Sequence, residues 1–396
     1  MKENKTDKLS PNVIRLGWVS LLTDISSEML YPLVPIFLTS VLNAPMAALG
    51  LIEGVAESVS NLLKIFSGWW SDRAGRRQPF VIGGYSLSAL SKPLLVFAQA
   101  LGWPLVLALR IMDRTGKGLR SSARDALIAD FTPESQRGRA FGLHRAMDSM
   151  GAVLGPLAAL FFMSRMGNSP EAYRTVFLWA FVPAVLGVFL LFTVREKPLV
   201  KRYTKPVFRW KDLGPDFKIF LFINLIFALG NSSDTFLIVR AKELFSGNRA
   251  VTSALLAYVL YNLTYSLGSY PAGWLADRIG KRRVFTFGLL IYVLVYLGFA
   301  LNQNPHLIWL LFAVYGLYTA LTDGVGKAYA STLVPGELRA TGMGIYHMSN
   351  GLATFAASLL AGILWQAIGF QAAFLFGAGA SLLAVLLFVL LVKGRR

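Results

Sequence analysis

The chain has 396 residues, 55% of them hydrophobic and only 15% charged, with a mean hydropathy of +0.54. That composition excludes a water-soluble globular domain and a disordered chain, and the expected class is an all-α integral membrane protein. The 39 Lys and Arg against 21 Asp and Glu give a formal charge of +18, and the absence of Cys excludes disulfides and thiolate metal sites.

Runs of roughly 20 apolar residues, each long enough to cross a ~30 Å hydrocarbon core, recur along the whole chain. The polar start MKENKTDKLSPN lacks signal-peptide architecture, so the first apolar segment is expected to be an uncleaved anchor. Splitting the chain at charge clusters and Pro/Gly breaks predicts about twelve spans: 14–41, 46–70, 79–101, 104–130, 139–163, 172–194, 217–240, 250–274, 284–302, 306–333, 339–365 and 370–392.

Span 1 carries SLLTDISSEMLYPLVP, with Asp24 and Glu28 one helical turn apart about halfway across the bilayer. Two carboxylates there can bind and release a proton, which makes Asp24 the first candidate proton carrier and Glu28 the second; neutralising span-4 cations is the plainer alternative. Pro32 and Pro35 should bend the outer half of the same helix. In span 2, Glu53, Glu57, Asn61 and Lys64 share one face, where pairing between helix bundles is expected rather than substrate contact.

Span 4 contains RIMDRTGKGLRSSARDALIAD, residues 110–130, a charged stretch in an apolar chain. Ionisable residues at that depth are tolerable when they face a wet cavity or a partner. Counting inward from Pro104 places Asp113, Arg114 and Lys117 near the middle and Arg124 roughly 15 Å deeper. Asp113, Lys117, Arg120 and Arg124 fall on one stripe, where Asp113 can pair with Lys117. Arg114 and Lys117 are expected to hold an anionic substrate group, with internal ion pairing as the alternative.

Span 5 adds His144, Arg145 and Asp148, and span 11 adds His347; Arg145 is a further anion-site candidate, and the two His are secondary coupling candidates. In the second half charge thins to Asp234 in span 7 and the i, i+4 pair Asp323 and Lys327 in span 10, while Tyr258, Tyr261, Tyr265, Tyr315, Tyr318, Tyr329 and Tyr346 dominate. A charged first half facing an aromatic second half suits an amphipathic organic ion with an anionic part. Asp323, Lys327, Tyr261 and Tyr318 are its expected contacts there.

Lys and Arg gather on one side of this topology, at the N-terminus, SDRAGRR, ADRIGKRR, the segment REKPLVKRYTKPVFRWKD and the tail KGRR, with Arg165, Arg240, Lys242 and Arg249 as exceptions on the other. The positive-inside rule then puts both termini in the cytoplasm, with a bacterial inner membrane as the expected location. The net charge is therefore topological and not a nucleic-acid footprint. GWWSDRAGRR (68–77) returns as GWLADRIGKR (273–282), and PESQRGRAFGLHR (133–145) aligns with PGELRATGMGIYH (335–347). Two six-helix halves follow, 1–194 and 217–396, joined by a basic linker, 195–216, whose Tyr203, Phe208 and Trp210 suit an anionic leaflet or a plain solvated loop.

The G-x-x-x-D-R-x-G-R-R turn after span 2, repeated after span 8 of a twelve-span chain, resembles the major facilitator superfamily over the whole length. The resemblance implies two pseudo-symmetric six-helix bundles around a central site, exposed alternately to each side, with spans 1, 4, 7 and 10 lining the cavity. It also implies that the turn, with Gly68, Asp72, Arg73 and Arg76, latches the outward-open state, Asp130 pairing with Arg73 or Arg76. Gly273, Asp277, Arg278 and Lys281 form the second copy. Arg110 resembles, imperfectly, the span-4 Arg of proton-driven exporters, since Arg114 stands where small residues are usual; Arg110 and Asp113 join the coupling candidates.

The expected function is secondary active transport of a small organic solute, coupled to protons, with export of a drug-like or anionic amphipathic compound by antiport as one form; the sequence does not set the direction. A transporter of an anionic metal chelate is the alternative; a free metal ion is disfavoured because Lys or Arg lies beside most of the carboxylates. No Walker A, H-E-x-x-H or G-x-S-x-G pattern supports an enzyme or an ATP-driven pump. No cofactor or metal is expected, and the partners are substrate, protons and lipid, with a monomer as the assembly.

Overall fold

The computed structural model describes residues 9–133, 136–196, 213–247, 249–335 and 338–391. Among them, eleven helical spans are long and apolar enough to cross a bilayer: Pro11–Ser40, Met46–Ala74, Gln78–Leu101, Arg137–Met166, Pro170–Leu191, Pro215–Leu244, Arg249–Ile279, Lys281–Leu301, Leu307–Thr332, Thr341–Ala367 and Phe370–Leu391. The twelfth, Trp103–Asp130, has the same length but carries the charged stretch. All are α-helical, so the fold is an all-α membrane bundle of twelve spans, numbered here 1 to 12 in chain order. The expected order survives, but spans 2 and 8 run on to Ala74 and Ile279, through the Asp-Arg pairs that the sequence reading put in turns.

Two spans are broken in mid-membrane for local reasons. Span 1 stops at Leu30 and resumes at Leu33, since Pro32 has no N–H to continue the ladder. Span 7 stops at Gly230 and resumes at Thr235. The helices of spans 2 and 8 each end at a glycine with positive φ, Gly75 at 68° and Gly280 at 97°. These are equivalent positions of the repeated turn, and only glycine enters that region without a Cβ penalty.

Spans 1–6 pack together and spans 7–12 pack together, and the two sets meet along spans 2 and 11, spans 5 and 8, and the outer segments of spans 1 and 7. Glycines make the span 2 to span 11 seam. A Cβ on Gly54 would lie 2.9 Å from the Phe355 carbonyl oxygen, and one on Gly362 would lie 3.0 Å from the Ala47 Cα. Small residues of this kind let helix backbones approach where lipid offers no hydrophobic drive for association. At the same end the Ala47 N–H donates to Gln366 Oε1 at 3.2 Å. The halves are closed there and apart at the other end.

Most of the expected basic linker, 197–212 with Tyr203, Phe208 and Trp210, lies outside the described residues, as do residues 1–8, the tail KGRR and Glu134, Ser135, Gly336 and Glu337 of the second repeat. Glu196, the last described residue before the linker, accepts from the backbone N–H groups of Arg77 and Gln78 at 2.7 and 3.0 Å.

Candidate functional site

Between the halves lies a cavity of about 1450 Å³ that reaches from Glu28 and Tyr258 at mid-depth to Asp72 and Asp125 at the open end. Its walls come mainly from spans 2, 4, 5, 8 and 11, with Asp24 and Glu28 from span 1 and Lys327 alone from span 10. Spans 1, 4, 7 and 10 were the expected lining; span 7 contributes nothing here. Its helix is covered because span 11 and the span 8 tyrosines stand in front of it.

The charged stretch of span 4 divides into a buried half and a cavity half. Arg110 and Arg114 turn away from the cavity toward span 2. Arg110 Nη2 lies 2.7 Å from each Glu53 carboxylate oxygen, Nε adds a bond at 3.1 Å, and Glu53 is fully buried. Arg114 Nη2 lies 3.2 Å from Glu57 Oε1. Both guanidinium groups sit 5.8 Å from the Tyr31 ring centre. This corrects one expectation, since Glu53 and Glu57 pair within the first half and not between bundles, and for Arg114 it gives the internal pairing that was the alternative to a substrate anion.

Asp113 does not pair with Lys117. It faces span 3, where the Ser88 hydroxyl donates to it. A cavity of about 20 Å³ behind span 4 is lined by Asp113, Lys92 and Ser27, and fully buried Lys92 donates to Ser27 Oγ at 3.1 Å. The i, i+4 spacing permits the Asp113–Lys117 contact, but a nearer donor on span 3 takes the carboxylate. Gly116 and Gly118 explain how spans 3 and 2 come so close. A Cβ on Gly84 would lie 2.6 Å from the Gly116 carbonyl oxygen, and one on Gly118 would lie 2.6 Å from Leu63 Cβ.

Lys117, Arg120 and Arg124 do face the cavity. Arg124 donates to Asp125 at 3.0 Å and to Ser20 at 3.1 Å. Ser20 in turn donates to Asp148 at 2.6 Å, and His144 Nδ1 lies 3.5 Å from Asp148. Lys64 donates to Asn61 at 3.0 Å. Among the Asp, Glu, Lys and Arg side chains that line the cavity, three make no hydrogen bond or close ion pair within the described residues: Asp24, Lys117 and Arg120. The Arg120 Nε and Nη1 are buried without a partner, and its guanidinium lies 4.3 Å from the Tyr85 ring centre.

The second half meets these charges with hydroxyls. Tyr258 donates to Glu28 Oε2 at 2.8 Å across the bundle interface and stacks on Tyr31 with centroids 5.5 Å apart. Arg145 Nη2 donates to the Tyr265 hydroxyl at 2.5 Å, Tyr265 donates to Asp323 at 2.9 Å, and Lys327 donates to Asp323 at 2.6 Å. The expected Asp323–Lys327 pair is present, and a tyrosine ties it to Arg145 of the other half. Tyr261 lines the cavity between Tyr258 and Tyr265. Tyr318 does not; it is buried against Tyr292 and Tyr315, and Tyr315 donates to Asp234 at 2.5 Å. His347 faces the cavity from span 11.

At the open end the repeated turn pairs differently from expectation. Asp130 is held by Arg77 at 2.9 Å, and Arg77 also reaches Asp72 at 3.1 Å. Arg73 instead lies 5.4 Å from the Trp69 ring centre, and no ion pair links Asp130 to Arg73 or Arg76 among the described residues. Arg77 reaches both carboxylates because it follows the Gly75 turn, whereas Arg73 is still on the helix. Gly68 approaches span 4, with a Cβ there 3.5 Å from Ser122 Cβ. In the second copy Lys281 lies 3.7 Å from Asp277, Arg278 lies 3.8 Å from the Trp274 ring centre, and Gly273 faces open space.

Sequence reasoning gave Lys92 no role and Arg77 only that of a charge at the face of the turn, without a partner. Lys92 carried a signal: it is the single cation inside span 3, and a buried ammonium needs an acceptor on a neighbouring helix. Arg77 carried one too, as the second arginine after a glycine turn.

A family model described as Major Facilitator Superfamily matches residues 16–246 and 220–396. The MFS-type transporter MJ1317 of Methanocaldococcus jannaschii is 37% identical over 98% of this chain and 96% of its own. Multidrug resistance protein MdtG of Serratia proteamaculans is 27% identical over 73% of this chain and 72% of its own. Among solved structures, a D-xylose-proton symporter superposes with a TM-score of 0.77 at 17% identity, covering 96% of this chain and 97% of its own, a likeness of fold.

Proposed function

The chain belongs to the major facilitator superfamily, and from that premise we propose that it moves an amphipathic organic anion by alternating access coupled to protons. Membership makes it an integral membrane transporter of a small molecule; the anion and the proton are our reading. The observation that carries the anion is Lys117. Its ammonium belongs to the cavity wall, opposite Tyr258, Tyr261 and Tyr265, without a carboxylate partner. A cation kept at bilayer depth without a protein partner is costly, and a substrate anion supplies the missing charge. Tyrosine faces across the cavity suit an apolar or aromatic body.

Lys117→Ala should therefore leave folding intact and raise the apparent KM for the transported anion about 10–100-fold, the worth of one charge-assisted hydrogen bond. Uptake into everted vesicles and intact cells, with and without a protonophore, across organic anions, drugs and metal chelates identifies the substrate and direction. Unaltered anion transport by Lys117→Ala rejects the assignment. Asp24 and Glu28 remain the proposed proton carriers, and Arg145 and Lys327 the secondary anion contacts. Arg110, Asp113 and Arg114 are reassigned as structural.

With both termini in the cytoplasm, as the positive-inside pattern supports, the cavity is open to the cytoplasm. Asp72, Arg77 and Asp130 are already paired with the end open, and we assign this preformed cluster as the surface that the other half meets when the end closes, with the linker 195–216 joining the two halves. Asp72→Asn should slow transport and raise maleimide labelling of a cysteine placed at Ser266 by about two- to tenfold, because loss of a latch charge favours the open state by roughly 0.5–1.4 kcal/mol. Equal labelling removes Asp72 from the latch.

A further inference from the structure

We infer that the anion and the proton load together, so that the transporter is a proton–anion symporter and not the antiporter expected from sequence. The inference rests on the anion reading above. Its basis is the trio Asp24, Lys117 and Arg120, which line one cavity without a hydrogen bond or ion pair among the described residues. Every other Asp, Glu, Lys or Arg lining that cavity already has a protein hydrogen bond or ion pair: Glu28 with Tyr258, Lys64 with Asn61, Asp72 with Arg77, Arg124 with Asp125, Arg145 with Tyr265, Asp148 with Ser20 and Lys327 with Asp323.

Lys117 and Arg120 are three residues apart on span 4, hence neighbours on one helix face. Asp24 lines the same cavity as these two cations, on a stretch of span 1 packed closely on span 5, where a Cβ on Gly151 would lie 2.6 Å from Asp24 Cβ. The charged groups acting on Asp24 are Lys117, Arg120 and Arg124 from span 4, Lys92 from span 3, and Asp148 and Arg145 from span 5. Lys92, Arg124, Asp148 and Arg145 have partners of their own. Lys117 also feels Glu57, which Arg114 holds, and Glu28, which accepts from Tyr258, so the carboxylate without a partner that competes with an incoming anion for the two free cations is Asp24.

That sharing sets the sign of the coupling. With Asp24 ionised, the trio carries a net charge of one, and a bound anion would sit beside a second negative group. With Asp24 protonated, both cations are released to the anion. Each ligand therefore improves the binding of the other, and linkage makes the effect reciprocal. Antiport requires the opposite, that proton and substrate exclude one another; a cationic substrate beside Asp24 would meet that requirement, and an anion does not. Arg120 becomes a second seat for the anion, its buried Nε and Nη1 completed by a substrate oxygen.

The test uses 1-naphthalenesulfonate, an aromatic anion whose sulfonate does not titrate, with 1-naphthylmethylammonium as the cation of similar size. Binding to the purified full-length protein in weakly buffered detergent solution is followed by calorimetry and by a pH electrode from about pH 5.5 to 8.5. The expected result is proton uptake approaching one per anion bound. Anion affinity should fall by up to about tenfold per pH unit above the titration of Asp24, the limit for one linked proton. Asp24→Asn should bind the anion with no proton uptake and no pH dependence. Lys117→Gln and Arg120→Gln should each weaken it about 10–100-fold. Anion binding with proton release, or with no proton change in the wild-type protein, overturns the symport inference and leaves the anion reading standing. Failure of the anion to bind at millimolar concentration, with or without binding of the cation, overturns the anion reading itself and the inference with it.

Discussion

Glu53→Leu should cost the protein about 3–5 kcal/mol and most of its folded yield, because it strands the Arg110 guanidinium in the bilayer interior. The pair is buried on both sides, with side chains 8% and 0% exposed and a shortest contact of 2.7 Å. Arg110→Leu should do equal harm by leaving the carboxylate alone. The double variant Glu53→Leu with Arg110→Met should recover most of the stability, since replacing a whole buried pair by apolar groups of similar volume is often neutral. Melting of the detergent-solubilised protein, followed by size-exclusion chromatography, reads all three. Lys117→Gln is the control, for it removes no partner and should melt within about 1 kcal/mol of the wild type. Single variants as stable as the wild type would show that water reaches the pair and that span 4 is not fixed to span 2 by charge.

The contrast between Arg110 and Lys117 marks what the sequence could and could not convey. Periodicity and hydropathy place twelve spans in order, and the repeated Asp-Arg turn points to two related halves. Those features are local, and each rests on residues near one another in the chain. The face of a charged helix is also local, so of the stripe Asp113, Lys117, Arg120 and Arg124 the last three do line the cavity, while Asp113 turns to span 3. What each charge pairs with is not local. Glu53 lies 57 residues from Arg110, and Ser88 lies 25 from Asp113, and no spacing rule connects them. The i, i+4 rule named Lys117 as the partner of Asp113 because only the same helix was in view; span 3 held a nearer donor.

The second half shows the same division. Asp323 and Lys327 pair as their spacing suggests, at 2.6 Å. The link through Tyr265 to Arg145 joins helices from opposite halves and depends on how far apart those halves stand, which is a property of the conformation and not of any segment. The abundance of tyrosine in this half is plain in the sequence. Which of them face the cavity was decided by packing, so that Tyr261 and Tyr265 line it while Tyr318 is covered by Tyr292.

Gly50→Leu should drive the protein out of the conformation described here. A Cβ on Gly50 would lie 3.0 Å from the Ser358 carbonyl carbon and 3.2 Å from the Leu359 Cα, with the Ser358 carbonyl oxygen nearer still, so the obstacle is backbone and cannot rotate away. Gly54 and Gly362 continue the same seam on either side. Overpacking of this kind costs about 1–3 kcal/mol, which is roughly a 5–150-fold change in the balance between two states, and Gly362→Leu in the same chain should add to it. The strain belongs to one state only: rocking of the halves opens the seam as it closes the cavity, so the larger side chain is accommodated in the alternative conformation. The chain has no Cys, so a single cysteine at Ser149 or Ser266, both on the cavity wall, reports the shift directly. Labelling by an impermeant maleimide from the open end should slow about tenfold or more, and labelling from the opposite end should rise, with the melting temperature little changed. Faster labelling from both ends with a lower melting temperature would mean that the seam is needed for folding; unchanged rates would mean that spans 2 and 11 do not part during the cycle, and the rocking motion would have to pivot about that seam instead of opening it.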